Sequence, residues 1–461
     1  MKNILFIEFW NISPHIETAF ELAKLNVDKG NKIYFIFGGN DTFYDEKFNF
    51  KLQDGLGKNY SPEVRGANLL NSKNFNFWNR FPLTKKNTIE ETTSFKINDI
   101  NDLMALKYEE FEVGKYAYSS LIHRYGTAFI DVNLHWEILE QYIETGIAVY
   151  KQAFSFIKYW EIDEVYVFNG RFCAPAAVAA AGKKAGIRVL YHERGANKER
   201  YYLEEFIPHD VVKVADAMSC AWERALLENP EGSIKIANEF FNKMRDRQET
   251  GWLSFTKNQI LNSLPVINKS SKVVTYFATN DDEYEALLDI FPWKYWKNQF
   301  HALDDLIGTC AEIQNIQLII KLHPNLVSKS NEDKERWMRY ERSNAYIIAP
   351  DAEFDTYALM EISDVVITSG STIGIEAVFW GKPVILLGPS YYEHLGACMQ
   401  PHTKDELFQL LSQDEYFADP IKALPFGYHY STFGQLFQFY KPGDLFSGSF
   451  LGHNLLNGSE E

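Results

Sequence analysis

The chain predicts an α/β protein built from two doubly wound halves. First, apolar strand patterns at residues 3–9 and 32–39 flank a helical pattern over Ile16–Lys29, a βαβ start. Second, a like series follows Asn268-Lys-Ser-Ser-Lys272, with strands near 272–278, 316–322, 345–349, 364–368 and 383–387. Third, 461 residues exceed one ordinary core and fit two domains. The expected plan is two Rossmann-like domains facing across a cleft. Boundaries are expected at 1–268, 269–400 and a 401–461 segment that folds back on the first domain.

Each element has a local reason. Residues 40–100 are polar, Asn-rich and irregular, with Phe75, Phe77 and Trp78 interspersed. A loop of that length inside a domain is usually functional. A long helix is expected over about 130–158, because Trp136, Leu139, Ile143, Ile147, Tyr150, Phe154 and Ile157 follow helical spacing. Strands return at 163–169 and 187–192, and the Ala-rich stretch 174–185 between them is a good helix former. Residues 221–265 carry charged helical segments, and Asn268–Lys272 is polar enough for a linker. Thr403-Lys-Asp-Glu406 has the form of a capping box. Crossovers between parallel strands are expected to be right-handed helices.

Composition excludes several classes. Hydrophobic residues at 46% support packed cores over disorder. A net charge of −16 argues against a nucleic-acid partner, which needs a basic field. It also argues against broad electrostatic attraction to anionic lipid. Cys173, Cys220, Cys310 and Cys398 lie far apart without metal-ligand spacing, so buried reduced thiols in a cytoplasmic protein are expected. No apolar run approaches a membrane span, and Glu8 and Asn11 interrupt the N-terminal one. Any membrane contact is expected to be peripheral, at the inner face.

The most informative stretch is Asp364-Val-Val-Ile-Thr-Ser-Gly-Ser-Thr-Ile-Gly-Ile-Glu-Ala377, followed by Trp380-Gly-Lys-Pro-Val-Ile-Leu-Leu-Gly388. It has the pattern of a buried strand, a tight turn, a helix start and then the next parallel strand. Small residues opening a helix leave backbone N–H groups for an anion. Glu376 follows Thr372 by four residues, on one helix face, where it would take ribose hydroxyls. Upstream, Ile316-Gln-Leu-Ile-Ile-Lys-Leu-His-Pro-Asn325 ends a second strand in Lys321, His323 and Pro324. Ligands of parallel sheets bind beyond the carboxyl ends of strands, so both motifs suit one nucleotide-sugar site. Ordinary turn and N-cap chemistry is the competing account of Ser369, Ser371 and Thr372, and Gly370 is expected to permit the turn.

These residues resemble a known family. The Lys-Leu-His-Pro stretch, the Ser-Gly-Ser-Thr turn and Gly381-Lys-Pro-Val-Ile-Leu-Leu-Gly388 are similar to the nucleotide-binding half of GT-B glycosyltransferases. The nearest group builds bacterial capsules and surface polysaccharides: Kdo transferases, sialyltransferase-like enzymes and CDP-glycerol transferases. Phe277-Ala-Thr-Asn-Asp-Asp-Glu283 and Phe354-Asp-Thr-Tyr-Ala-Leu-Met360 fit the same likeness, which covers roughly residues 270–400. It implies a GT-B fold and a nucleotide-sugar donor. His192-Glu-Arg-Gly195 resembles the acidic-x-Gly motif that supplies the catalytic base in sialyl-type enzymes. Those usually show two acids before the Gly, and here Arg194 stands in place of the second.

The expected roles follow. Glu193 is the general base, taking a proton from the acceptor hydroxyl; a salt bridge to Arg194, Lys198 or Arg200 is its structural alternative. His323 serves the donor phosphate or protonates the leaving nucleotide. Lys321, Pro324, Ser369, Gly370, Ser371, Thr372, Glu376, Thr279 and Asn280 line the donor side. Arg171 and Arg194 hold a sugar carboxylate in a charge-assisted fork. His15 and Glu17 are secondary acceptor-side candidates. Asp281, Asp282 and Glu283 are expected to cap a loop, and no metal or other cofactor is expected. The leading function is metal-independent transfer from a nucleotide-sugar, with CMP-activated Kdo or a nonulosonic acid favoured, onto an oligosaccharide or lipid-linked surface glycan. The alternatives are a UDP-hexose transferase, a UDP-N-acetylglucosamine 2-epimerase-like isomerase and a non-catalytic glycan-assembly subunit.

Overall fold

The computed structural model describes residues 1–38, 61–79, 97, 99–248, 255–280, 284–341 and 345–456. The chain divides into two units. Unit 1 holds Met1–His209, Glu285–Leu287 and Phe433–Glu461; unit 2 holds Asp210–Tyr284 and Leu288–Thr432.

The sheet of unit 1 is built from β1 (Asn3–Glu8), β2 (Lys32–Phe37), β3 (Phe75–Trp78), β4 (Glu164–Phe168), β5 (Arg188–Arg194) and β6 (Arg200–Glu204). Its order is β3-β2-β1-β4-β5-β6, with β1 to β5 parallel and β6 antiparallel. The chain reverses winding direction between β1 and β4, the switch point where doubly wound sheets bind ligands. Helix His15–Asp28 links β1 to β2, and Cys173–Ala185 links β4 to β5. The second ends at Gly186, whose left-handed φ of 73° lets its N–H reach the Lys183 carbonyl. Against it lies Trp136–Tyr159, with Leu139, Ile143, Tyr150 and Ile157 buried at helical spacing. The two approach closely because residue 146 is glycine: a Cβ there would stand 2.6 Å from Cys173 Sγ.

Unit 2 is a smaller copy of the plan. Its strands are β7 (Lys272–Phe277), β8 (Ile316–Lys321), β9 (Ala345–Ile348), β10 (Val365–Thr368) and β11 (Val384–Leu386). All are parallel, in the order β11-β10-β7-β8-β9, so the switch point falls between β7 and β10. This α/β organisation of two Rossmann-like units is the one expected for a GT-B chain. The capping box forms in part: Thr403 Oγ1 accepts the Glu406 N–H, while the Glu406 carboxylate accepts the N–H of His402 rather than that of Thr403.

Four expectations need correction. The expected boundary at 268 falls at 209, because helices Val211–Glu228 and Pro230–Arg245 belong to unit 2. Phe241 of the latter stacks on Phe379 at 4.2 Å, and Phe240 meets Phe426. The segment from 401 divides rather than folding back whole: residues up to Thr432 stay with unit 2, and only Phe433 onward joins unit 1. There β12 (Gln435–Leu436) pairs antiparallel with β6, and β13 (Tyr440–Pro442) pairs with β14 (Gly448–Phe450). Within the region expected to be irregular, Pro62–Leu70 is helical and Phe75–Trp78 forms β3, since Phe75 and Phe77 pack beside Phe35; residues 40–60, 80–96 and 98 lie outside the described residues. Finally, Cys220 is exposed on its helix and Cys398 half-buried, while Cys173 and Cys310 are buried; none of the four is in a disulfide among the described residues. Among the described residues no helix is long and apolar enough to cross a membrane.

Candidate functional site

Each unit gathers polar side chains at its own switch point. In unit 1 the strand ends of β1, β4 and β5 converge. After β4 the chain turns through Asn169 and Gly170, both at positive φ. That turn aims Asn169 at the end of β5, where its Nδ2 donates to Glu193 Oε2 at 2.7 Å. The other carboxylate oxygen accepts the Arg194 N–H at 2.9 Å. His15, the first residue of its helix, brings Nδ1 to 3.3 Å from that same Oε1. The imidazole lies against Phe168, ring centroids 4.3 Å apart. Burial lowers its pKa to about 4, against the pull of Glu193 and with help from Arg194 and His192. At neutral pH His15 is therefore an uncharged base whose Nδ1 faces a carboxylate. That tautomer leaves Nε2 as the basic nitrogen, the arrangement in which one group orients and the other takes the proton.

Beneath this pair lies another that the sequence reading missed. His192 Nε2 and Glu8 Oε1 are 2.8 Å apart, and both side chains are fully buried. Burial raises the Glu8 pKa, with His192 opposing the shift. An acid inside the apolar run Asn3–Glu8 was the available signal, since a buried carboxylate needs a partner. Asn169 was also missed as a site residue; its place in the strand-end run Phe168-Asn-Gly-Arg171 was the only hint.

Arg171 is buried, and its guanidinium lies 4.3 Å from the Phe172 ring centre. Its neighbour His209 is held neutral, first by burial and then by Arg171. Arg194 is half-buried at the carboxyl end of β5. Glu17 does not face an acceptor site. It is sealed at 0% exposure, and burial lifts its pKa to about 7 against hydrogen bonding from Ser13.

In unit 2, Lys321 ends β8 in register with Phe277 of β7. It is 4% exposed, and its Nζ has no hydrogen-bond acceptor among the described residues. Burial alone brings its pKa down to about 8. An ammonium held this way is a strong anion receptor, because a bound anion relieves its desolvation. His323 caps the short turn that Pro324 begins, its Nδ1 accepting the Asn325 N–H at 3.2 Å. Gln299 fixes the exit of β7: its Oε1 accepts the Thr279 N–H and its Nε2 donates to the Thr279 carbonyl. Asn280 follows, half-buried; Asp281, Asp282 and Glu283 lie outside the described residues.

The turn after β10 differs in detail from expectation. Ser369 is buried, with Oγ 2.8 Å from the Tyr276 hydroxyl, so it faces the interior. Thr368 Oγ1 accepts the N–H groups of Gly370 and Ser371, which were expected to serve a phosphate. Ser371 is half-buried and Thr372 exposed, and the Thr372 side chain hydrogen-bonds to Glu376. Gly370 has φ of +132°, and a Cβ there would stand 2.3 Å from the Pro389 carbonyl oxygen. Glu376 is not displayed for ribose. It is 4% exposed, takes a hydrogen bond from the Tyr357 hydroxyl, and burial raises its pKa to about 7. A helix-face spacing from Thr372 was right, but that face turns inward against the helix Thr356–Ile362.

Comparison with known proteins bears on unit 2. Residues 296–419 match the family described as capsule polysaccharide biosynthesis protein. That segment spans Lys321, His323 and the Ser369–Thr372 turn. No curated relative matches the chain. Among solved structures, the chain is similar to KpsC of Thermosulfurimonas dismutans, a beta Kdo 2,4 transferase. The identity is 13% over 57% of this chain and 78% of that one, with a TM-score of 0.36. It is also similar to the UDP-GlcNAc 2-epimerase of Neisseria meningitidis, at 12% identity over 93% of this chain and 96% of that one, TM-score 0.26.

Proposed function

We propose that this chain, whose residues 296–419 form a capsule polysaccharide biosynthesis domain, is a glycosyltransferase that moves a sugar from a nucleotide-sugar onto a surface glycan. The observation that carries the reading is Lys321: a buried ammonium without an acceptor among the described residues, at the carboxyl end of β8 beside the switch-point strand β7. In this reading Lys321 meets the donor phosphate, with the Ser371 and Thr372 hydroxyls, and offsets the negative charge that grows as the nucleotide departs. His323, Thr279 and Asn280 complete the donor side.

Unit 1 activates the acceptor. The sequence pointed to Glu193 as the base; the 3.3 Å approach of His15 supports a shared role. His15 Nε2 takes the acceptor proton as the hydroxyl oxygen attacks the anomeric carbon, and Glu193, steadied by Asn169, stabilises the imidazolium. The favoured donor is a CMP-activated acidic sugar, Kdo or a nonulosonic acid, with Arg171, buried just after β4, as the guanidinium that meets the sugar carboxylate.

A thermal-shift panel of CMP, CDP, UDP, GDP and ADP tests the reading, since a ligand that binds only the folded state raises the melting point. Stabilisation by CMP, lost in Lys321→Met, is the expected result. Stabilisation by UDP alone would move the donor to a hexose. No shift with any nucleotide would overturn the transferase.

A further inference from the structure

Unit 1 holds an aromatic side chain in a built yet exposed position. Phe446 lies in the turn between β13 and β14 and is 46% exposed. The turn is fixed from within: Asp444 Oδ1 accepts the Phe446 N–H at 2.7 Å, and the Gly443 N–H donates to the Ser447 carbonyl at 2.9 Å. It is fixed from outside as well. Lys198 Nζ donates to the Gly443 carbonyl, the Glu21 carboxylate accepts the N–H groups of Gln438, Phe439 and Tyr440, and the Tyr440 hydroxyl lies 3.2 Å from Ser13 Oγ. Leaving a phenyl ring half in water costs hydrophobic free energy that the core would recover. So much anchoring behind an exposed ring points to a ligand.

Against the ring lies the Arg194 guanidinium, 4.5 Å from its centre. That guanidinium forms no ion pair within 4 Å among the described residues, and its Nε is buried without an acceptor. Its neighbour Glu193 is already engaged by Asn169, His15 and the Arg194 backbone N–H. Burial depresses the Arg194 pKa, the mark of a cation short of compensation. A planar fork pinned on a ring keeps its edge for a carboxylate or phosphate.

We infer that Arg194 and Phe446 form a subsite of unit 1 for a saccharide ring carrying an anionic group. The C–H face of the sugar lies on the phenyl ring and its carboxylate or phosphate pairs with the guanidinium. This rests on the transferase reading and deepens it: the acceptor glycan carries an acidic residue next to the hydroxyl that is glycosylated. Phe446, in the C-terminal part of unit 1, then supplies part of the acceptor site.

Saturation-transfer NMR on the full chain tests this without any nucleotide, using methyl glucuronide, glucose 6-phosphate and methyl glucoside. Expected is a preference of about five-fold or more for at least one anionic probe over the neutral one, about 1 kcal/mol in binding terms. Whichever anion wins identifies carboxylate or phosphate. Arg194→Gln abolishes the preference. Phe446→Ala weakens every probe while Phe446→Tyr retains binding, and unchanged melting curves show that the variants fold. Equal binding of the neutral glycoside, no binding of any probe, or a preference that survives Arg194→Gln would overturn the subsite. A silent nucleotide panel beside a clear anionic preference would instead sink the transferase reading and leave the subsite standing.

Discussion

Lys321 concentrates the residue-scale argument. Its pKa is about 8 in the fold against 10.5 ordinarily. Between those values the unfolded chain binds more protons, so stability climbs as pH rises through that window, and at pH 7 the charged side chain is a net cost. Lys321→Met is expected to stabilise the protein by about 1–3 kcal/mol at pH 7 while abolishing nucleotide-induced stabilisation. Chemical denaturation with and without CMP measures both. His15 gives a second test. With its pKa near 4 rather than 6.5, it is in its base form throughout the working range, so the acid limb of kcat/KM is expected near pH 4. Glu193→Gln removes the group that raises that pKa. It is expected to push the limb lower and to cut kcat by roughly 10²- to 10⁴-fold; a limb that stays in place would assign the limb to another group.

At the scale of elements, the turn between β10 and the helix Ile373–Phe379 holds the donor side together by close backbone approach. Gly370→Ala must fit a Cβ 2.3 Å from the Pro389 carbonyl oxygen at a φ of +132°. A loss of about 2 kcal/mol or more is expected, read from urea unfolding. Beneath that turn, Glu376 ties its helix to Tyr357. Its folded pKa of about 7 lies above the ordinary 4.5, so the folded state binds more protons between them. Its contribution is complete below about pH 4.5 and is lost as pH rises through 7. Glu376→Gln is expected to flatten the fall in stability over that window, a difference of at most about 3 kcal/mol. Melting curves of both proteins from pH 5 to 8 show it, and parallel curves would contradict the assignment.

For the whole molecule, the two units each carry their own sheet, core and switch point, and the C-terminal residues from Phe433 belong to unit 1. Their main clamp is one carboxylate accepting three backbone N–H groups, at 2.7, 2.9 and 2.9 Å. Charge-assisted bonds of this kind are the strong ones, and Glu21→Ala is expected to cost about 2–4 kcal/mol. Hydrogen exchange should localise the loss to residues 433–456 and their partners in β6, leaving the strands of unit 2 protected as before. Loss of protection throughout unit 2 would show that the two units unfold together.

Much of this molecule was legible in the sequence, because its strands and helices obey local rules. Apolar runs bounded by Gly, Ser and Asn set β1, β2, β4, β5 and the five strands of unit 2 within a residue or two. A 3.6-residue stripe set the helix Trp136–Tyr159, and strand-end position together with the family resemblance nominated Lys321, Glu193 and His15. What tertiary structure decided was which polar group meets which. Glu376 and Glu17 have the sequence spacing of site residues, yet packing turns both inward. The Thr368 hydroxyl takes N–H groups that local pattern assigned to a ligand. Asn169 meets Glu193 and Glu8 meets His192 across 24 and 184 residues of chain. Helices 211–245 join unit 2 through Phe240 and Phe241, which no local period reveals. Periodicity and turn chemistry act within a few residues and are written locally. Partners across strand ends are fixed only when strand order brings distant segments to one switch point.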